Sequence, residues 1–375
     1  MNNRERVKAI LNYENYDHMP VVHFGFWEEL LQKWVKEGHL KPEEIEGYAD
    51  GNEKDNIISG KLGFDFNWMT VFTDNSDVLS SIFPKFERKV LEEFPDGKIK
   101  VINEYGVIEL EKPGSRSIPT EVDHLLKDRK SWEEYFKPRL QYSDSRIDWE
   151  KLRRLKENDD KRQEPLGIFC GSLFGQIRNM MGIEGVSYLY ADDEELYDEI
   201  INTVGELCYK VTKKILESGV KFDFGHFWED ICFKNGPLVS PEIFNQKVGP
   251  HYKRITSLLN SYGINIVSVD CDGMIDALIP TWLDNGVNTM FPIEVGTWNA
   301  SIAPWREKYG KQIRGVGGMN KNVFAEDYAA IDKEIERLKP LIEMGGYIPC
   351  PDHRLPPAAK WENIQYYCDR MRKEF

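Results

Sequence analysis

Carboxylates, a histidine and a lysine stand where apolar runs of this chain end. Ile264-Asn265-Ile266-Val267-Ser268-Val269 leads without a charge into Asp270-Cys271-Asp272-Gly273. Such a run reads as a strand buried on both faces, as in a parallel sheet. Acids at its carboxyl end stand where barrels and open α/β sheets carry their chemistry. The same residues also read as an Asp-Gly turn, with Asp272 capping the next helix. Glu229 follows Phe222-Asp223-Phe224-Gly225-His226-Phe227-Trp228, Glu294 ends Met290-Phe291-Pro292-Ile293, and His353 lies in the proline-stiffened Pro351-Asp352-His353-Arg354-Leu355-Pro356-Pro357. Oxygen ligands with an imidazole can hold a divalent metal. They can equally serve as general acid and base, because crowded carboxylates push one another's pKa values apart. Spacing leaves both open.

Lys321, beyond Gly317-Gly318, reads as an anion ligand or a solvated loop charge. Gly171-Ser172, with Gln176 and Arg178, resembles a glycine turn into a helix whose free N–H groups could hold an anion. Strand alternation points Cys271 away from Asp270 and Asp272, toward the helices. His23 reads either as a site residue or as a satisfied core histidine.

These groups need a scaffold that brings distant segments together. Strand-like runs begin near residues 20, 64, 166, 222, 264, 288, 313 and 346, each followed by helix-like sequence. Alternation of this kind means a parallel sheet, and eight units predict an α/β fold closed as a (β/α)8 TIM barrel. The second run, Phe64 to Met69, includes Trp68, with Asp74 in the loop beyond. Residues 83–111 break the rhythm: alternating segments flank Pro95-Asp96-Gly97 and predict an antiparallel β-hairpin, extended through Pro113-Gly114-Ser115-Arg116. The chain is expected to be one domain over 1–375, with an insertion over about 83–125.

The formal charge of -14 argues against a nucleic-acid groove, which needs clustered Lys and Arg. No run of 18 apolar residues occurs, and the first residues lack the apolar core of a signal peptide. Six scattered cysteines without a CxxC pair read as free thiols. A cytoplasmic location is expected, with no membrane and no nucleic-acid partner.

Val269-Asp270-Cys271-Asp272-Gly273, Pro292-Ile293-Glu294-Val295, Lys308-Tyr309-Gly310, Gly317-Gly318-Met319-Asn320-Lys321 and Gly345-Gly346-Tyr347-Ile348-Pro349, with Asp352-His353 and Pro356-Pro357, resemble the uroporphyrinogen decarboxylase superfamily. That superfamily holds the decarboxylase of haem synthesis and methyltransferases that serve corrinoid proteins. The resemblance is good over about 165–375 and weak before it. It implies a (β/α)8 barrel. Decarboxylases grip propionates with paired arginines on the first strand; Pro20-Val21-Val22-His23-Phe24-Gly25-Phe26-Trp27 has none. The better-studied corrinoid methyltransferases hold zinc with a His-x-Cys pair and a distant Cys, and Asp270, Asp272 and His353 fall where those ligands would lie.

The resemblance therefore implies a corrinoid-dependent methyltransferase of the O-demethylase type. It would move a methyl group between a small, O-methylated substrate and a separate corrinoid-binding protein. Glu229, His353 and Asp270 are the expected catalytic groups. His23, Trp68, Ser172, Trp228, Glu294 and Lys321 are expected to bind substrate, and Asp270, Asp272 and His353 a divalent metal such as zinc. Uroporphyrinogen decarboxylation, or a non-catalytic tetrapyrrole-binding barrel, is the alternative. The oligomeric state is left open, a homodimer included.

Overall fold

The computed structural model describes residues 1–73, 81–113 and 119–375; Asp74, Gly114, Ser115 and Arg116 lie outside them. All eight predicted strands are present: β1 (Val22–His23), β2 (Phe66–Asn67), β3 (Gly167–Phe169), β4 (Phe224–Trp228), β5 (Val267–Asp270), β6 (Thr289–Ile293), β7 (Arg314–Met319) and β8 (Tyr347–Pro351). β3 to β8 form one parallel sheet in the order β8-β7-β6-β5-β4-β3. β1 and β2 form a separate parallel pair. Backbone bonds tie the end of β1 to the segment after β8, where Leu355 N donates to Gly25 O at 3.0 Å and Trp27 N to Leu355 O at 3.3 Å.

Among the described residues the ring of strand hydrogen bonds is not continuous, which differs from the closed barrel predicted. β2 and β3 share no ladder, and a cleft of about 900 Å³, lined by Phe64, Phe66, Pro165 and Leu166, opens between them. Both early strands are two residues long for local reasons. Gly25 takes a left-handed φ of +85° just past β1, and the Asn67 side chain accepts from Met69 N at 2.9 Å, turning the chain out of β2.

β5 is buried on both faces, as its unbroken apolar run requires. Its register against β4 sets Ser268 beside His226 and Asp270 beside Trp228. The outward face meets helices: a Cβ at Gly225 would sit 2.5 Å from the Leu259 side chain on helix Gly249–Ser261. By alternation Ser268, Asp270, His226 and Trp228 share the inner face. Inside, Trp68 stacks on Phe224 at 6.0 Å, Phe24 packs on Phe291 at 4.8 Å, and His353 follows at 5.2 Å from Phe24. This aromatic column fills the interior up to the carboxyl ends.

The segment around Pro95-Asp96-Gly97 belongs to a four-stranded antiparallel sheet of Lys89–Glu93, Ile99–Ile102, Val107–Glu111 and Thr120–His124. It packs on helix Gly175–Asp192, which kinks at Gly182 with φ +73°. A Cβ there would stand 2.5 Å from the His124 ring, so the kink and the sheet fit only around glycine. No helix among the described residues is long and apolar enough to cross a membrane.

Candidate active site at the strand ends

Past β4 the chain turns at Asp230 with a left-handed φ of +49°, held because Asp230 Oδ1 accepts from Asp272 N at 3.0 Å. That turn brings Asp230 to Asp270 and Asp272: one carboxylate oxygen from each lies within 4.8 Å of the others. Asp230 was not singled out from the sequence, although its neighbour Glu229 was. His353 Nε2 stands 3.8 Å from Asp272 Oδ2, its ring between Phe24 and Trp27.

Burial and mutual repulsion dominate the electrostatics. The Asp270 carboxyl is pushed well above the usual range by burial, then by Asp230, Asp272 and Glu294. Asp272 is raised to about 7 by burial, Asp230 and Glu294, with Lys321 opposing. Asp230 is raised by burial, against the Asp272 N–H and Arg178. His353 is pulled down to about 4 by burial, Lys321 and Arg354, so it is neutral at pH 7.

Other mouth acids are held by donors. Glu294 accepts from Gly273 N and from Thr297 Oγ1 at 2.8 Å, and Asp352 from Gly296 N at 2.7 Å. Lys321 Nζ lies 3.6 Å from Asp352 Oδ1. Arg354, beside His353, forms a two-pronged pair with Asp50, which also accepts from Asn67 Nδ2 at 2.8 Å and the Tyr48 hydroxyl at 3.1 Å. Gly25 makes room for that clamp: a Cβ would meet both partners at 2.6 Å.

Glu229 does not fit the catalytic role expected of it. Fully buried, it accepts from Leu173 N and Phe174 N at 2.9 Å, Gly175 N at 2.7 Å, Ser172 Oγ at 3.3 Å and the Tyr252 hydroxyl. It therefore anchors the helix that starts at Gly175, a negative charge at a positive helix end. The N–H groups read as an anion site are filled by this internal carboxylate. His23 is likewise a core residue: it is fully buried, Nδ1 accepts from Gly25 N at 3.0 Å, and Nε2 bonds Ser59 Oγ at 2.8 Å. Trp68, 1% exposed, is part of the interior packing and does not reach open space.

Ser172 and Trp228 do reach a cavity, of about 390 Å³. Phe169, Gln176, Asn179 and Met180 complete its floor and wall, while Asn103, Tyr105, Val107 and Glu121 cover it from the antiparallel sheet. Arg178 lies over the Trp228 ring at 5.8 Å and also acts on the Asp230 carboxylate, so it stands between this cavity and the acid cluster and touches the electrostatics of both.

The thiolate zinc centre of the better-studied corrinoid methyltransferases has no counterpart among these residues. Cys271 faces away from the mouth, its Sγ accepting from Ile231 N at 3.4 Å, and burial pushes its thiol and that of Cys350 well above the usual range. The donors gathered are the carboxylate oxygens of Asp230, Asp270 and Asp272; His353, expected as a ligand with Asp270 and Asp272, reaches Asp272 Oδ2 at 3.8 Å but stands outside that cluster.

A parallel α/β sheet with acids and an imidazole at the carboxyl ends of its strands places these groups where such folds carry their chemistry. The family follows from the sequence match. Residues 113–374 match the uroporphyrinogen decarboxylase (URO-D) family, and the chain belongs to it. Among solved structures it is similar to a methyltransferase from Methanosarcina mazei, at 15% identity and TM-score 0.59, over 100% of this chain and 99% of that one. A Listeria monocytogenes structure described as a vitamin-B12-independent methionine synthase aligns at 12% identity and TM-score 0.41, over 96% of each chain. No curated protein matches the chain.

Proposed function

We propose that this chain is a methyltransferase of the URO-D superfamily, built as a (β/α)8 barrel and working in the cytoplasm. It moves a methyl group from a small O-methylated substrate to a corrinoid carried by a separate protein. The observation that carries the reading is the Asp230, Asp270 and Asp272 cluster at the mouth. Three crowded carboxylates retain positive charge among them, as a proton or a cation, and so present an electrophile where the substrate oxygen must depart. The URO-D match over residues 113–374 and the fold shared with a methyltransferase support the same class.

When the partner is docked, its corrinoid supplies the cob(I)alamin nucleophile that takes the methyl group. The protein's residues do the rest. The C–O bond breaks with its electron pair left on oxygen, and that oxygen takes a proton held by the carboxyl cluster. His353, neutral and bracketed by Phe24 and Trp27, relays the proton. Trp228, Ser172, Gln176 and Asn179 bind the substrate body in the covered cavity. The exposed rings of Trp27 and Phe233 offer a flat apolar rim to the macrocycle.

Uroporphyrinogen decarboxylation fits less well, because eight substrate carboxylates would face Asp230, Asp270, Asp272, Glu294 and Asp352. The test incubates the protein with a reduced corrinoid protein and a panel of methyl ethers, following the cob(I)alamin absorbance. Methyl transfer lost in Asp270→Asn supports the reading. Coproporphyrinogen made from uroporphyrinogen, with no methyl transfer, overturns it.

A further inference from the structure

Five carboxylates crowd the mouth: Asp230, Asp270, Asp272, Glu294 and Asp352. The cations that face them are Arg178, beside Asp230, and Lys321, beside Asp272 and Asp352. Five acids against two cations leave an excess of negative charge in a largely buried space.

The acids are not equivalent. Glu294 and Asp352 accept backbone N–H groups, as Glu229 does below them, and are held like structural carboxylates. Asp270 is different. It is 6% exposed, it accepts no hydrogen bond from a described residue, and the groups acting on it besides burial are three other carboxylates. A buried polar group without a partner calls for an absent water or ion as its explanation. Here the orphan points at two further carboxylates, so a single cation among them would meet all three.

We infer that Asp230, Asp270 and Asp272 form an oxygen-only site for a hard divalent cation of the magnesium, manganese or calcium kind, in place of a thiolate zinc centre. The geometry suits it: a cation about 2.0–2.6 Å from each oxygen sets its ligands at most roughly 4–5 Å apart, and these three lie within 4.8 Å of one another. Hard cations select carboxylate oxygen over sulfur and imidazole. Asp230 enters as a ligand through its left-handed turn, with Asp272 N fixing one of its oxygens. The inference rests on the site of the proposed function and not on the reaction assigned there.

The full-length protein, stripped with EDTA, is titrated with Mn²⁺ and the free ion followed by its paramagnetic resonance, with Mg²⁺ and Ca²⁺ as competitors. One Mn²⁺ should bind per chain, and Asp230→Asn and Asp272→Asn should each weaken it roughly tenfold or more. Without metal, both variants should melt no lower than the wild type, because each loses a repelling charge. Asp272, the most exposed of the three, keeps the test open should the Asp230 variant misfold.

The inference falls if Mn²⁺ does not bind at millimolar concentration, which would leave a shared proton in the cluster. It also falls if binding survives both substitutions unchanged. A cation bound without methyl transfer would refute the reaction but not the site.

Discussion

His353 Nε2 stands 3.8 Å from Asp272 Oδ2, and the imidazole stacks on Trp27 with ring centroids 5.9 Å apart. Both groups are moved toward neutrality. Burial with Lys321 and Arg354 strips the proton from the histidine, while burial among acids keeps one near Asp272. The pair is thus a carboxyl beside a neutral base, not a salt bridge, although the two come from strands far apart in sequence.

That pairing predicts the behaviour of His353→Gln. The side chain is 27% exposed, so its loss should change stability by less than about 1 kcal/mol. Proton relay contributes typically 10²–10⁴-fold, and methyl transfer should fall by roughly 10²-fold or more in kcat. Stopped-flow turnover beside thermal melting checks this. Wild-type kcat in the variant would remove His353 from the chemistry.

The residue next to His353 is itself firmly held. Arg354 is clamped by Asp50, which Asn67 and Tyr48 also use as acceptor. Asp50→Ala leaves three donors without that partner in a part-buried setting, a loss of roughly 1–3 kcal/mol. If the clamp positions His353, kcat should fall along with the melting temperature even well below the transition. Lower stability with kcat intact would make Asp50 purely structural.

Much of the scaffold was legible in the sequence because its signals are local. Every one of the eight strands begins within three residues of its expected start, since apolar runs bounded by Gly, Pro and charge depend on nearby residues. Asp270, Asp272 and His353 were legible as strand-end polar groups. Asp230 was not, because a non-glycine left-handed turn leaves no mark in hydrophobic periodicity. Glu229 and His23 were misplaced for a related reason: their partners, at Leu173–Gly175 and Ser59, are remote, and satisfaction by distant donors has no sequence signature. Nor could spacing reveal that Asp50 meets Arg354, 304 residues on.

Two buried histidines predict an acid-sensitive fold. Burial pulls His23 and His226 down to about 3 from an ordinary 6.5. The unfolded chain therefore binds protons that the folded chain refuses between pH 6.5 and 3. Stability from each is intact above 6.5 and declines as pH falls through that window, by about 1.4 kcal/mol per pH unit at most. The raised carboxyls titrate in the opposite sense, so the histidine share is read as a difference. His226→Asn should show a flatter loss of stability than wild type in urea melts from pH 6.5 to 5. Parallel slopes would mean that His226 is charged, or already solvated, in the folded protein.

Glu229 separates an architectural carboxylate from a catalytic one. A general acid replaced by its amide should yield a folded, inactive protein. In Glu229→Gln, however, one acceptor oxygen becomes an NH₂ donor facing the N–H groups of Leu173, Phe174 and Gly175 and the hydroxyls of Ser172 and Tyr252. Donor against donor in a fully buried site should cost roughly 2–5 kcal/mol and loosen the start of helix Gly175–Asp192. Hydrogen exchange should then rise first at residues 173–178, and the fraction still folded should retain kcat near wild type with a raised KM, because Ser172 and Gln176 line the covered cavity. A stable variant with kcat abolished would return the acid role to Glu229. The helix anchor would then have to be assigned to the remaining donors of that turn.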